Sequence, residues 1–231
     1  ADEGEKTEKA TPKKRQDARK KGQVLQSKEI SSTLVLLIVF FTLRLMGEYM
    51  YVQITSLFRN SFLEYALIDD FTSVSEVMRI MQSVGITLLK TVGPFFAVAL
   101  LVGLTTSYAQ VGVLFTIEPL KPKFDKLNPI NGLKRIFSAR GMAELVKSLL
   151  KIFIIGFVAY LSLKAEKENI VKLMDIDVVA IAGYIGKTSL DIAIRICAVM
   201  IIIAILDYAY QWWQHEKDLK MTKQETKEER K

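Results

Sequence analysis

From Thr91 to Ile117 the chain carries no formal charge over 27 consecutive positions. A bilayer core of about 30 Å is crossed by roughly 20 apolar residues in a helix, so this run spans it with length to spare. A soluble chain would need a large core around such a helix. Here only 231 residues are present, half of them apolar, and little remains from which to build one. The formal charge of +7 is concentrated away from the apolar runs, with nine Lys or Arg in residues 1–29. The expected class is therefore an all-α integral membrane protein.

Four spans follow from the hydropathy pattern. The first runs from Ile30 to Val52, but only Ile30 to Leu43 is charge-free; Arg44 and Glu48 follow at i,i+4 spacing, where they can pair on one face. Beyond it, Ile54, Leu57, Phe58, Phe62 and Leu63 form either a short interfacial helix or an extension of the span. The second runs from Val84 to Val113, with Gly93-Pro94 as the place for a bend. The third occupies Met142 to Leu163, with Lys147 and Lys151 as a basic stripe at its start. The fourth runs from Val178 to Trp213, with Asp177 as its N-cap. On it, Lys187, Asp191 and Arg195 recur every fourth residue and make one charged ridge, which is costly against lipid on every side. The ridge is expected either to project beyond the hydrocarbon or to face protein. Trp212 and Trp213 fit an aromatic belt near the cytoplasmic interface.

Thr11-Pro12 reads as the start of a basic helix, Thr11 as N-cap and Pro12 at N1, stopping near Gly22. Its cations can meet anionic headgroups or simply be solvated. Nucleic acid is not an expected partner, since no aromatic residue lies in the first 39 positions to stack a base. No cleavable signal is expected, because the charged leader and first apolar run lack a small-residue cleavage pattern.

Between the second and third spans, Pro119, Pro122 and Pro129 oppose one continuous helix, while Phe115, Leu120, Phe124, Leu127, Ile130, Leu133, Ile136 and Phe137 recur between basic residues. Apolar groups at that density call for a covering surface, either protein or headgroups. Loop charge sets the orientation. Six basic residues in 110–141 and six in 214–231 join the nine in 1–29, against two in 53–82 and three in 164–177. Both ends and the middle loop are therefore cytoplasmic, and the four spans form two hairpins joined by a basic cytoplasmic loop. The resulting division is a basic arm at 1–29, a hairpin at 30–113, a partner-contacting loop at 114–140, a second hairpin at 141–213 and the start of a linker at 214–231.

The stretch Glu5-Lys6-Thr7-Glu8-Lys9-Ala10-Thr11-Pro12-Lys13-Lys14-Arg15, with Asp17-Ala18-Arg19-Lys20-Lys21-Gly22-Gln23-Val24 and Ser27, resembles the opening of the flagellar and type III secretion export switch proteins. So do Leu127-Asn128-Pro129-Ile130-Asn131-Gly132-Leu133-Lys134-Arg135-Ile136-Phe137-Ser138 and Leu219-Lys220-Met221-Thr222-Lys223-Gln224-Glu225-Thr226-Lys227-Glu228-Glu229. Three separated signatures in order cover nearly the whole chain. The resemblance implies a multi-pass bacterial inner-membrane component of the protein export gate, with other membrane subunits of that gate, exported proteins and the lipid bilayer as partners. It also implies that the inter-hairpin segment touches the gate, through a section matching Asn128, Pro129, Gly132, Lys134 and Arg135. Leu133, Ile136 and Phe137 add apolar anchors on chemical grounds, and Lys134 and Arg135 can meet acidic groups or phosphates.

Members of that family also carry a cytoplasmic domain that cleaves itself at Asn-Pro-Thr-His. These 231 residues hold no such motif, and Asn128-Pro129 is followed by Ile130-Asn131, so no self-cleavage is expected of them. Other catalysis is also not expected: the one histidine, His215, and the one cysteine, Cys197, lie 18 positions apart, and neither Gly-x-Ser-x-Gly nor a phosphate-cradling Gly-rich Lys-Ser/Thr motif occurs. No cofactor or metal is implied. A self-assembling membrane transporter or channel subunit is the alternative, its path lined by the charges within the spans.

Overall fold

The computed structural model describes residues 7–65, 73–116, 118, 138–173 and 177–229. Within them the chain is helical apart from short connections and one isolated antiparallel backbone pair, Glu8 with Met221. A short helix α1 (Pro12–Lys20) precedes two long helices, α2 (Lys28–Tyr65) and α3 (Val74–Val111). After the central segment come α4 (Ala139–Ala165), the single-turn α5 (Lys167–Lys172), the long α6 (Val178–Leu219) and α7 (Lys223–Glu229).

Local chemistry explains the boundaries. Thr11 Oγ1 accepts the Lys14 N–H at 3.2 Å and Pro12 occupies the first turn, as the sequence indicates. At the other end of α1, Gln23 N–H donates to Ala18 O and Gly22 N–H to Arg19 O, both at 2.9 Å, around a Gly22 φ of +75°. This is the paired closure that a left-handed glycine permits. Asp177 caps α6 through Val179 N–H at 3.1 Å, and Ser138 caps α4 through Gly141 N–H at 3.1 Å. Thr222 and Glu225 exchange reciprocal bonds of 3.2 Å, the capping box that starts α7.

Three helices run further than hydropathy indicates, α3 among them: it starts at Val74, ten residues before Val84, and ends at Val111. α2 continues to Tyr65 rather than ending at Val52, so the apolar pattern at 54–63 belongs to an extension of the span. α6 continues to Leu219 instead of Trp213. None of these extensions contains Gly or Pro, so nothing interrupts the backbone hydrogen bonds when the side chains turn polar. α3 passes through Pro94 as one helix, although the proline has no N–H to give to the carbonyl of residue 90.

Four helices, α2, α3, α4 and α6, are long and apolar enough to cross a membrane. Of the most apolar stretch of each, only 6% (α2, α3, α4) or 11% (α6) is buried within the chain. Leu45, Phe96, Phe153 and Ile202 are among the exposed side chains. The bulk of this surface is therefore left for lipid or other protein to cover. At 1.5 Å per residue α6 is about 63 Å long and α2 and α3 about 57 Å each, roughly twice the hydrocarbon thickness, so parts of all three lie beyond it. Hydroxyls along the spans are satisfied within their own helices: Thr42, Thr91 and Thr106 each donate to a carbonyl four residues back at 2.8 Å.

α2 is the central element, packing along both α3 and α6; α4 packs on α6, and α1 lies against α6. The start of α2 and the end of α3 meet through Gln110, whose Oε1 accepts the Ser27 N–H at 2.7 Å and whose Nε2 donates to Ser31 Oγ at 2.9 Å.

Candidate functional site: helix ties and the frame of the central segment

The eight residues expected to touch a partner, Asn128, Pro129, Gly132, Leu133, Lys134, Arg135, Ile136 and Phe137, lie outside the described residues. The structure does describe the frame from which that segment leaves and to which it returns.

Its departure point is gripped by α1. α3 ends at Gly112, whose φ of +71° turns the chain away, and Gly112 N–H closes on Tyr108 O at 2.7 Å. On either side of the glycine, Arg19 Nη2 donates to Val111 O at 3.0 Å and to Val113 O at 3.5 Å. One turn later Thr116 Oγ1 donates to Lys20 O at 2.7 Å. The same short helix also holds the end of α6: Arg15 makes two bonds to the Glu216 carboxylate, at 2.6 and 2.8 Å. That fork-on-fork contact raises the Arg15 pKa above its ordinary value. Glu8 and Met221 exchange two backbone bonds of 3.0 Å just beyond. Ala18, Leu219 and Met221 are buried in this region.

Deeper in the bundle, charged side chains tie helices to one another. Lys151 of α4 reaches Glu29 of α2 at 2.5 Å, and Lys147 reaches Asp207 of α6 at 3.0 Å. The Lys147 ammonium also sits 3.5 Å over the Tyr210 ring, while Gln211 donates to the second oxygen of Asp207. Lys147 and Lys151 are thus spent on two neighbouring helices; as a solitary stripe they would have faced water or headgroups.

The ridge on α6 is divided. Asp191 accepts a 2.7 Å contact from Arg44 of α2. Arg44 therefore pairs across helices rather than with Glu48 on its own helix, because α2 and α6 run side by side at this depth. Lys187 and Arg195 remain exposed. Beyond α4, Glu166 accepts hydrogen bonds from Asn169 at 2.8 Å and from Tyr184 of α6 at 2.5 Å. Those two donors, Asn169 first, hold the Glu166 carboxyl below its ordinary pKa.

No group of His, Cys, Asp and Glu among the described residues could hold a metal ion. Cys197 is buried within α6. Trp212 and Trp213 are both about half exposed near the end of α6, with Lys217 Nζ 5.2 Å from the Trp213 ring centroid. Residue-by-residue reading of the sequence did not single out Glu29, Gln110, Arg19 or Thr116 as ties. The signal available for Glu29 was a carboxylate at the mouth of one apolar run, matched by a lysine at the mouth of another.

The sequence signature described as the FlhB HrpN YscU SpaS Family matches residues 4–231. The chain is 39% identical over 234 residues to the flagellar biosynthetic protein FlhB of Bacillus subtilis, covering 98% of this chain and 62% of that relative. It is 34% identical over 227 residues to FlhB of Aquifex aeolicus and 32% identical over 231 residues to the Yop proteins translocation protein U of Yersinia pestis, in each case covering 98% of this chain and 63% of the relative. The chain thus spans about three fifths of the length of these curated relatives.

Proposed function

The chain belongs to the FlhB HrpN YscU SpaS family, and on that premise we propose that it is a component of the bacterial flagellar or related type III protein export gate. It is a multi-pass inner-membrane protein whose N-terminal arm and C-terminal segment share the cytoplasmic side, where they pair with each other through Arg15–Glu216 and Glu8–Met221. In this reading α2 with α3, and α4 with α6, are two membrane hairpins, and the basic segment 114–140 joins them on the cytoplasmic face. That segment contacts other membrane subunits of the gate and regulates passage of exported proteins. The ridge of Lys187, Asp191 and Arg195 faces protein or water.

The observation that carries this reading is the family match over nearly the whole chain. Support for the role of the segment comes from its sequence and its frame: apolar anchors alternate with cations, its start is held against α1 by Arg19 and Thr116, and its return enters α4 through the Ser138 cap. Full burial of Leu133, Ile136 or Phe137 would contribute about 1.5–3 kcal/mol each before ordering costs, whereas an exposed pair made by Lys134 or Arg135 contributes about 0.2–1 kcal/mol. Replacing the three apolar residues by polar ones is expected to weaken co-purification with gate subunits, and to reduce export, more than replacing the two cations, at equal membrane abundance and topology. Normal gate association and export from a correctly inserted triple variant would refute the assignment.

A further inference from the structure

We infer that the N-terminal arm is a mechanical tie between the root of the central segment and the chain leaving α6, so that displacing either one loosens the other. The inference rests on the reading of 114–140 as the gate-contacting segment for its biological meaning, but its geometry is independent of that reading.

Three features of α1 carry it. First, its two arginines, four residues apart and therefore on one face, are engaged with two different helices: Arg15 with Glu216 of α6 and Arg19 with the carbonyls of Val111 and Val113 at the end of α3. Second, the contacts continue along the chain on both sides of the helix. Upstream, Glu8 pairs its backbone with Met221; downstream, Lys20 O accepts from Thr116. Third, the helix is closed at both ends, by the Thr11 cap and by the Gly22 turn, so it moves as a unit instead of fraying.

The sequence separations show what is being joined. Arg15 and Glu216 are 201 residues apart, and Arg19 and Val111 are 92. Among the described helices, α3 and α6 each pack extensively on α2, and α1 with its upstream flank joins the root of the central segment to the end of α6 and the stretch after Leu219. A pull on 113–116 reaches the Glu8–Met221 pair through a rigid piece of nine helical residues. Arg15 and Glu216 keep 47% and 27% of their side-chain exposure, so this pair is screened and reversible rather than a permanent weld.

The test is hydrogen exchange on the whole chain in lipid nanodiscs without any gate subunit, following peptides that cover 108–116 and 216–222. Arg15→Glu, which sets a carboxylate against Glu216, is expected to speed exchange at least about twofold not only in 216–222 but also in 108–116. Arg19→Gln should loosen 108–116 directly and 216–222 as well, through α1. The exchanged pair Arg15→Glu with Glu216→Arg should return both peptides to the parent rates, which separates loss of the tie from general misfolding. Exchange that rises only in the segment each altered side chain touches, or a charge-swapped chain that stays loose in both, overturns the inference. Because no gate subunit is present, failure here leaves the gate-contact assignment standing, and failure of that assignment leaves this tie standing.

Discussion

Replacing Gly112 by Ala should destabilise the chain although it adds one methyl group at a half-exposed site. The glycine lies at φ +71°, ψ −169°, a backbone region essentially closed to side chains, and holding another residue there costs on the order of 1–3 kcal/mol. A Cβ would also stand 2.9 Å from Arg19 Nη2. The far end of an arginine can move aside, so the clash itself adds little; its consequence is loss of the bonds to Val111 O and Val113 O, which are exposed and contribute less than the backbone strain. Gly156 in the middle of α4 is the control, since a Cβ there meets nothing within 4 Å, and Ala in a helix is favoured over Gly by up to about 1 kcal/mol. Denaturing-detergent titration of both variants in mixed micelles, read by helical circular dichroism, should show Gly112→Ala shifted to lower detergent and Gly156→Ala unchanged or shifted upward. Equal midpoints for Gly112→Ala and the parent chain would refute the strain argument.

The Arg44–Asp191 pair should show coupling in a double-mutant cycle of about 0.6 kcal/mol or more, with Asp191→Asn alone costing more than Arg44→Gln/Asp191→Asn, because the single variant leaves a cation unpaired; additive losses in detergent titration would remove the pair as a tie. Probes at Lys20 and Lys227 should label from the cytoplasm and a probe at Asp70 from the opposite side, checked by impermeant reagents on intact and opened cells. The contribution of Glu166 should be present above the ordinary glutamate value of 4.5 and lost as pH falls through its lowered pKa; Asn169→Ala should move the carboxyl back toward 4.5 in an NMR titration, and an unmoved titration would show that Asn169 does not hold it.

Several local features are legible in the sequence because their causes are short-range. Thr11-Pro12 and Asp177 start helices by supplying an acceptor for an orphan N–H, and Gly22 ends one by accepting a positive φ. The four spans are legible as well, but their lengths are not. Hydropathy locates the apolar stretch of a helix, whereas the helix itself stops only where backbone geometry or a competing hydrogen bond stops it, as the Glu8–Met221 pair does just after Leu219.

By itself the sequence determined how many helices cross the membrane, which side holds the basic ends and which family the chain resembles, since these depend on composition along the chain and on ordered local signatures. Only the tertiary structure decided the partners of the charges. Arg44 had Glu48 one turn away and took Asp191 on another helix; Lys147 and Lys151 looked alike and went to different helices; Arg15 and Arg19, neighbours on one face, joined α6 to the end of α3. The physical reason is that a long cation has several carboxylates and carbonyls within reach of its stem, and the packing of the helices brings one of them into line while holding the others away.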